Sequence, residues 1–484
     1  LPQLRIEEDM NVPAPGDPLP RRRYALVGLS NRGVASFARP LLGTGAGPHD
    51  PSGDVGTDPA RSATGPTGLG YGADADDYSG HAELVAVLDV DRERADAFVG
   101  TILPSGHPRV PVFVGDGTEA GDSAALRELI DRAQPDAVIV TSPDHTHVRY
   151  VLAALEAGVD VISEKPMVAT AHDAQQVLDA QQRSAASVRV THNLRFTSRH
   201  RRIKSLLDAG ALGRLLHVSM DYHVDVRHGA SYFLRWNRQR ANSGGLSIHK
   251  STHHLDLISW WLGSEPRTVY AVGGRDFYGA TGAHRPPGAH TPQEIRDRDP
   301  YQRAQHGTGT FPDDADSIRR GLFDLPYAVQ YPAGRDLTLY DTEIDVEDHL
   351  ASLLTFSSGA TAAYSVDFSS PWEGYRASIQ GTEGTLEVFT GRTPDGEELP
   401  GSGTIVHRPL FAPAREVEIP RVQGGHDGAD PMMRRDLFVG PSSESEELHL
   451  AATAREGALA VAAGEGIWRS IATGQVVDVP GLLV

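Results

Sequence analysis

The chain has no cysteine. That excludes disulfides, thiolate metal sites and cysteine nucleophiles, and says little about redox compartment. It is also short of positive charge: 45 Lys and Arg stand against 64 Asp and Glu, a formal net charge of −19. Binding a phosphate backbone needs a basic surface, so nucleic acid is not an expected partner. An anionic membrane surface is not expected either. No apolar run reaches the ~20 residues of a membrane span, and the first residues lack the apolar core of a secretory signal. A cytoplasmic location is therefore expected. The chain starts at Leu1, which leaves removal of a leader open.

What is present is an ordinary globular composition, 39% hydrophobic and 23% charged over 484 residues. That length suggests two domains. The most informative stretch is Pro135–Met167. Two short apolar runs, Ala137–Thr141 and Val159–Ser163, flank a helix ending at Gly158, which is a βαβ unit. Ligands of such folds sit at the carboxyl ends of parallel strands. Ser142-Pro143 and Glu164-Lys165-Pro166 both fall there. A lysine at that edge is either a solvated loop charge or a catalytic group, and its position before a proline favours the second.

Residues 1–22 form a proline-rich, acidic arm. A strand from Arg23 runs into Gly28-Leu-Ser-Asn-Arg-Gly33, and helical spacing follows through Val34, Phe37 and Leu41. Such a turn aims backbone N–H groups at a pyrophosphate. Ser30 replaces the middle glycine; it is small, and its hydroxyl can donate to phosphate. A loop at 43–80, poor in large apolar residues, delays the second strand, Glu83–Leu88, which ends at Asp89. A carboxylate there accepts from ribose hydroxyls and repels a 2′-phosphate, so NAD is favoured over NADP. Arg92 keeps NADP as a minor alternative. A helix over Arg92–Val99, a strand over Val110–Val114 and a helix capped by Asp122 or Ser123 complete a doubly wound Rossmann domain over 23–166.

Residues 167–484 read as an α+β substrate and oligomerisation domain. A helix at 171–184, a strand at Val188–Phe196, a basic helix at Ser198–Ala209 and a strand at Leu215–Val224 precede one long helix through Ile248, Ser251, Leu255, Ile258 and Leu262. An insertion at 279–342 follows. Strands at Val346–Phe356, Gly359–Phe368, Tyr375–Gly381 and Thr385–Phe389 predict a large, mainly antiparallel open sheet, and a helix at Glu446–Ala463 closes the chain. An exposed sheet face needs cover, so a homo-oligomer, dimer or tetramer, is expected through it.

His249, His253 and Asp256 fall at i, i+4 and i+7 of the long helix. Three readings compete there: a histidine general base, a metal pair at His249 and His253, and polar residues without chemistry. The base ranks first, and no metal is expected.

Together these pieces resemble the Gfo/Idh/MocA family of NAD(P)-dependent sugar and cyclitol oxidoreductases. The matching runs are VGLSNRG, LVAVLDVDRERA, DAVIVTSPDHTHVRYVLAALEAGVDVISEKP and SGG…HHLD…WWLG, with GATAAYSVDFSS…EGYRASIQGTEGTLEV later. The resemblance implies that Lys165 is the catalytic lysine and that Pro166 follows a cis peptide. It sets Ser142, Pro143, His147 and Glu164 along a cofactor that Gly28, Ser30, Asn31, Arg32, Gly33 and Asp89 also hold. His253 takes the place of the family's catalytic histidine. Four residues earlier, where the family has aspartate, stands His249. Arg195, Arg235, Trp236, Lys250 and His426 are the further candidates for a carbohydrate pocket. The expected reaction moves a hydride between a carbinol carbon and nicotinamide C4, with Lys165 and His253 handling the proton and His249 assisting. A redox-neutral glycoside hydrolase or lyase working through a transient keto-sugar, and a non-catalytic NAD-sensing protein, are the alternatives.

Overall fold

The computed structural model describes residues 21–44, 76–104, 106–301, 337–419 and 428–484. Residues 1–20 of the N-terminal arm, most of the 43–80 loop, much of the 279–342 insertion, and His426 lie outside the described residues.

Six short strands form the first sheet: β1 (Arg22–Val27), β2 (Ala82–Asp89), β3 (Val112–Val114), β4 (Ala137–Val140), β5 (Asp160–Ser163) and β6 (Val188–Val190). Their order is β3-β2-β1-β4-β5-β6, all parallel. A seventh strand, β15 (Ala452–Thr453), adds antiparallel to β6. Sheets covered by helices on both faces need near-continuous apolar strands. β4, Ala-Val-Ile-Val, is buried throughout. The strand order reverses between β1 and β4, which opens a crevice at their carboxyl ends. Gly28 closes β1 there with φ 84°. A Cβ on it would stand 2.6 Å from the Ser142 backbone. The first turn of helix α1 (residues 31–42) is thereby set over the end of β4. Five residues of α1, Val34–Ala38, form a π turn just before Pro40, which has no N–H to continue the α ladder.

Among the described residues the second sheet has nine strands in the order β14-β13-β12-β11-β7-β10-β9-β8-β16, where β12 is Gly384–Arg392, β13 Thr404–Pro409, β14 Arg415–Glu416 and β16 Val477–Asp478. Its centre is β7 (Leu215–Asp225), parallel to β10 (Thr361–Ser370) and antiparallel to β11 (Glu373–Gly381). Burial alternates along β9 (His349–Phe356) and β10, so one face is core. On the opposite face Tyr270 and Val272 of β8 (Pro266–Gly274) stand 40% and 55% exposed, with Leu353 of β9 at 61%. Tyr270 and Leu353 are cross-strand partners, so these side chains form one exposed apolar patch.

Four local expectations are corrected by tertiary context. The strand after β5 stops at Val190, because the chain turns through buried His192 and Asn193 into a 3₁₀ turn at Asn193–Phe196. The helix ending at Ala133 starts at Glu119 and is capped by Thr118, while Asp122 is buried against Arg149. The closing helix spans Ala454–Thr473 behind a Thr453–Glu456 capping box; Glu446 and Glu447 belong to a separate turn. The helix expected through 248–262 is two helices, α8 (Leu246–His249) and α9 (Thr252–Leu262), broken at Lys250-Ser251.

Gly28→Ala puts a side chain into both a positive-φ position and the Ser142 backbone. Strain alone costs roughly 1–3 kcal/mol, and the clash adds to it. A fall in the denaturant midpoint, together with weaker cofactor binding by calorimetry, is the expected result.

Candidate active site

The site forms where the carboxyl edge of the parallel sheet faces the α8–α9 break. The glycine turn supplies one wall. Ser30 caps α1, its Oγ accepting from Gly33 N at 3.0 Å, which leaves its O–H to donate. Asp89 is buried; its two oxygens accept from Leu29 N at 2.7 Å and Asp91 N at 2.9 Å. Each carboxylate oxygen has two acceptor positions, so ribose hydroxyls still find a partner. Burial pushes the Asp89 carboxyl above its usual range. Arg92 is turned along its own helix to Asp96 at 2.9 Å. Glycine turn, helix start and acidic strand end together fit a dinucleotide.

Arg32 ties this wall to the rest. Its Nε donates to Glu164 at 2.8 Å, and its two Nη donate to Asp430 at 2.8 and 3.0 Å. Asp430, on helix α11 (Ala429–Phe438), also accepts from Asn193 Nδ2 at 3.0 Å. His147 is buried with Nε2 2.7 Å from Ser142 O and Nδ1 3.0 Å from Pro166 O. Both ring nitrogens face carbonyls, so His147 stitches the Ser142-Pro143 turn to the Lys165 segment instead of reaching a ligand. The Lys165–Pro166 peptide is cis.

Lys165 leaves the end of β5 and donates from Nζ to the backbone O of His249 at 2.8 Å. The helix break explains why that carbonyl is available: α8 ends at His249, and the last carbonyls of a helix lack an intrahelical donor. Gly244 sets the approach, because a Cβ there would lie 2.2 Å from Ala169 O, just beyond Lys165–Pro166. The His249 ring is held on both nitrogens, Nδ1 2.5 Å from Asp144 Oδ2 and Nε2 3.0 Å from Asn237 Nδ2. Tyr232 and Trp236 each stand edge-to-face on it at 5.5 Å. His253 lies at the start of α9, its ring 6.3 Å from that of His192. Neither of its nitrogens has a hydrogen-bond partner among the described residues.

Burial dominates the electrostatics. It lowers Lys165 to about 8, against the opposing pull of Asp144. It raises Asp144 to about 7, against His147 and Lys165. Burial and the nearby cations Lys165, Arg235 and Lys250 hold His249 well below its usual range. The His249–Asp144 contact is therefore a hydrogen bond from a neutral imidazole. His253 is likewise held neutral by burial and by Lys165 and Lys250.

Arg235, Trp236 and Lys250 gather around His249. Arg195 does not. It is 1% exposed and donates to both Asp256 oxygens at 2.8 and 2.6 Å, to Glu456 at 2.8 Å and to His449 O at 3.1 Å. Four of its five N–H donors are spent on protein acceptors and the side chain is buried, so Arg195 and Asp256 join elements rather than line the pocket. The break also removes the single helix face that the HxxxH spacing assumed. Among the described residues no group of three or more His, Asp or Glu could hold a metal ion. The residues that sequence reading did not single out are Asp144, Asn237 and Tyr232. Asp144 sits in the Ser142-Pro143-Asp144 turn at the strand edge, and that position was the one available signal.

Two family models match. One, described as an oxidoreductase family with an NAD-binding Rossmann fold, covers residues 64–192. The other, described as the oxidoreductase family's C-terminal alpha/beta domain, covers 204–479. A Bacillus subtilis (strain 168) protein named as an oxidoreductase, YteT, is 36% identical over 408 residues, 82% of this chain and 91% of its own length. Inositol 2-dehydrogenase 3 of Saccharopolyspora erythraea is 36% identical over 185 residues, 38% of this chain and 47% of that protein. Among solved structures, levoglucosan dehydrogenase in complex with NADH and levoglucosan shares the fold with a TM-score of 0.57 at 16% identity, over 95% of this chain and 99% of that one.

Arg195→Met leaves the Asp256 carboxylate buried and unpaired. Breaking a buried pair costs about 3–5 kcal/mol, so chemical denaturation should show a loss of that order. A pocket residue would instead lose substrate affinity with little change in stability.

Proposed function

The chain belongs to the Gfo/Idh/MocA oxidoreductase family, and on that premise we propose that it oxidises or reduces a CH–OH carbon of a sugar, glycoside or cyclitol, using NAD. The observation that carries this reading is the Lys165 ammonium, anchored on the His249 carbonyl at the sheet edge, near a neutral His253 whose ring nitrogens are uncommitted. A cation there stabilises a developing alkoxide, and a neutral imidazole accepts the hydroxyl proton. A bound nicotinamide supplies the acceptor or donor of the hydride. His253 is assigned as the base. His249, committed on both nitrogens, is assigned as a positioning residue that presents its carbonyl to Lys165. NAD is preferred over NADP because Asp89 ends β2 and Arg92 is engaged with Asp96. The relatives' names, an inositol dehydrogenase and a levoglucosan dehydrogenase, support a polyhydroxylated substrate. The exposed Tyr270, Val272 and Leu353 patch supports association of copies through the second sheet.

Lys165→Ala should lower turnover by about 10²-fold or more while NAD affinity, read by fluorescence titration, stays within a factor of about three. Unchanged turnover would remove Lys165 from the mechanism. Accumulation of NADH with the carbinol substrate marks net oxidation; product without NADH marks the redox-neutral alternative.

The pH profile follows from the two coupled groups. Asp144, raised to about 7, is neutral below that pH and charged above it. Lys165, lowered to about 8, is charged below that pH and neutral above it. The oxidation kcat/KM should therefore rise towards pH 7, as ionised Asp144 orients His249, and fall above pH 8 as the ammonium is lost. Asp144→Asn should abolish the acidic limb and move the alkaline one to lower pH, because the Asp144 charge is what opposes the burial-driven fall of Lys165.

A further inference from the structure

Two cations beside His249 have no part in the proton handling. Lys250 follows it directly, half-buried, with Nζ 5.3 Å from the centre of the Tyr222 ring. It has no ion-pair or hydrogen-bond partner among the described residues. Arg235 is 9% exposed. Its Nε and one Nη donate to Ser231 O at 2.8 Å and Ser231 Oγ at 2.5 Å; the remaining Nη1 has no partner among the described residues. Both charges are close enough to His249 to depress its basicity. The nearest carboxylate to Lys250 by its electrostatic effect is Glu373, and it is already engaged. It faces His228 Nδ1 at 2.9 and 3.0 Å and accepts from Tyr222 and Arg392, each at 3.4 Å.

Burying a cation without a partner is costly, and proteins pair such groups. This chain has a net charge of −19, so carboxylates are abundant, yet among the described residues none hydrogen-bonds or ion-pairs with these two cations. A ligand that brings its own carboxylate would complete them. We propose that the substrate is an acidic sugar of the uronate class, its carboxylate held between Lys250 Nζ and Arg235 Nη1. The proposal rests on the sugar oxidoreductase reading above and narrows it. One ammonium and one guanidinium nitrogen suit a monoanionic carboxylate better than a phosphate dianion, which calls for more donors.

The test uses the full chain with NAD. Initial rates are measured with D-galacturonate and D-glucuronate, with their neutral parents D-galactose and D-glucose, and with glucose 6-phosphate. At least one uronate is expected to exceed its neutral parent by 10²-fold or more in kcat/KM. Lys250→Gln and Arg235→Gln should each cut that ratio at least tenfold, chiefly through KM, and Lys250→Arg should restore part of it. Circular dichroism and melting curves separate these effects from misfolding. Neutral sugars turned over as well as uronates, a preference for the phosphate, or a ratio unmoved by both substitutions overturns the proposal and leaves the oxidoreductase reading standing. If none of the sugars is oxidised, the oxidoreductase reading fails on these substrates, and calorimetry of both uronates on the NAD-loaded protein decides the remainder. Binding weakened at least tenfold by either substitution supports the carboxylate subsite, and absence of binding overturns it.

Discussion

The hydrogen bond from Lys165 Nζ to the His249 carbonyl joins the two halves of the molecule at the point where chemistry is proposed. It exists because a helix stops one residue before Lys250. Had α8 run on into α9, that carbonyl would have accepted from the amide four residues ahead, and Lys165 would have had no anchor. The same break spares His253 from sitting directly one turn above His249. Burial then sets the charges: Lys165 falls to about 8 and Asp144 rises to about 7, each opposing the other's shift. Two groups with values brought this close titrate as a pair, which is a common property of proton-handling sites.

The rest of the architecture holds that contact in place through buried polar ties. Arg32 links the glycine turn to Glu164 and to Asp430 of α11. Tyr24 of β1 donates to Leu437 O, and its ring meets Phe438, so α11 returns from late in the chain to cover the first sheet. Glu465, on the closing helix, accepts from Ala171 N at the start of the helix after Lys165–Pro166, where a carboxylate also meets the helix dipole. Arg195 gathers Asp256 and Glu456. None of these pairs need add net stability over apolar packing, but losing one partner leaves a stranded charge. They fix relative position, and at a site built from both halves position is what catalysis uses.

Much of this was legible in the residues. Short apolar runs, a glycine turn after the first and Asp89 after the second announce a parallel sheet with its ligand edge, and Lys165 was readable from its place at that edge. Four strands of the second sheet followed from the runs along 346–389, whereas its strands at Pro266–Gly274, Thr404–Pro409, Arg415–Glu416 and Val477–Asp478 were not read. The misreadings share one cause. The run from Val188 to Phe196 has strand-like composition, yet buried contacts of His192 and Asn193 turn it after Val190. Arg195 looked like a ligand for an anion and is instead paired, buried, with carboxylates from distant segments. The pattern at 246–262 is helical throughout, and only packing against Ala169 and Lys165 shows that it is interrupted.

Composition, periodicity and turn chemistry are properties of neighbours in the chain, so the sequence by itself determined the fold class, the cofactor edge and the lysine. Which carboxylate faces which cation depends on residues far apart, such as Asp144 and His249, or Lys165 and the carbonyl 84 positions later. Only the tertiary structure decided that Asp144 meets His249. Among the described residues it also left Lys250 and Arg235 without a carboxylate bonded to either. Buried electrostatics acts over a few ångströms of space, and sequence separation carries little information about that distance.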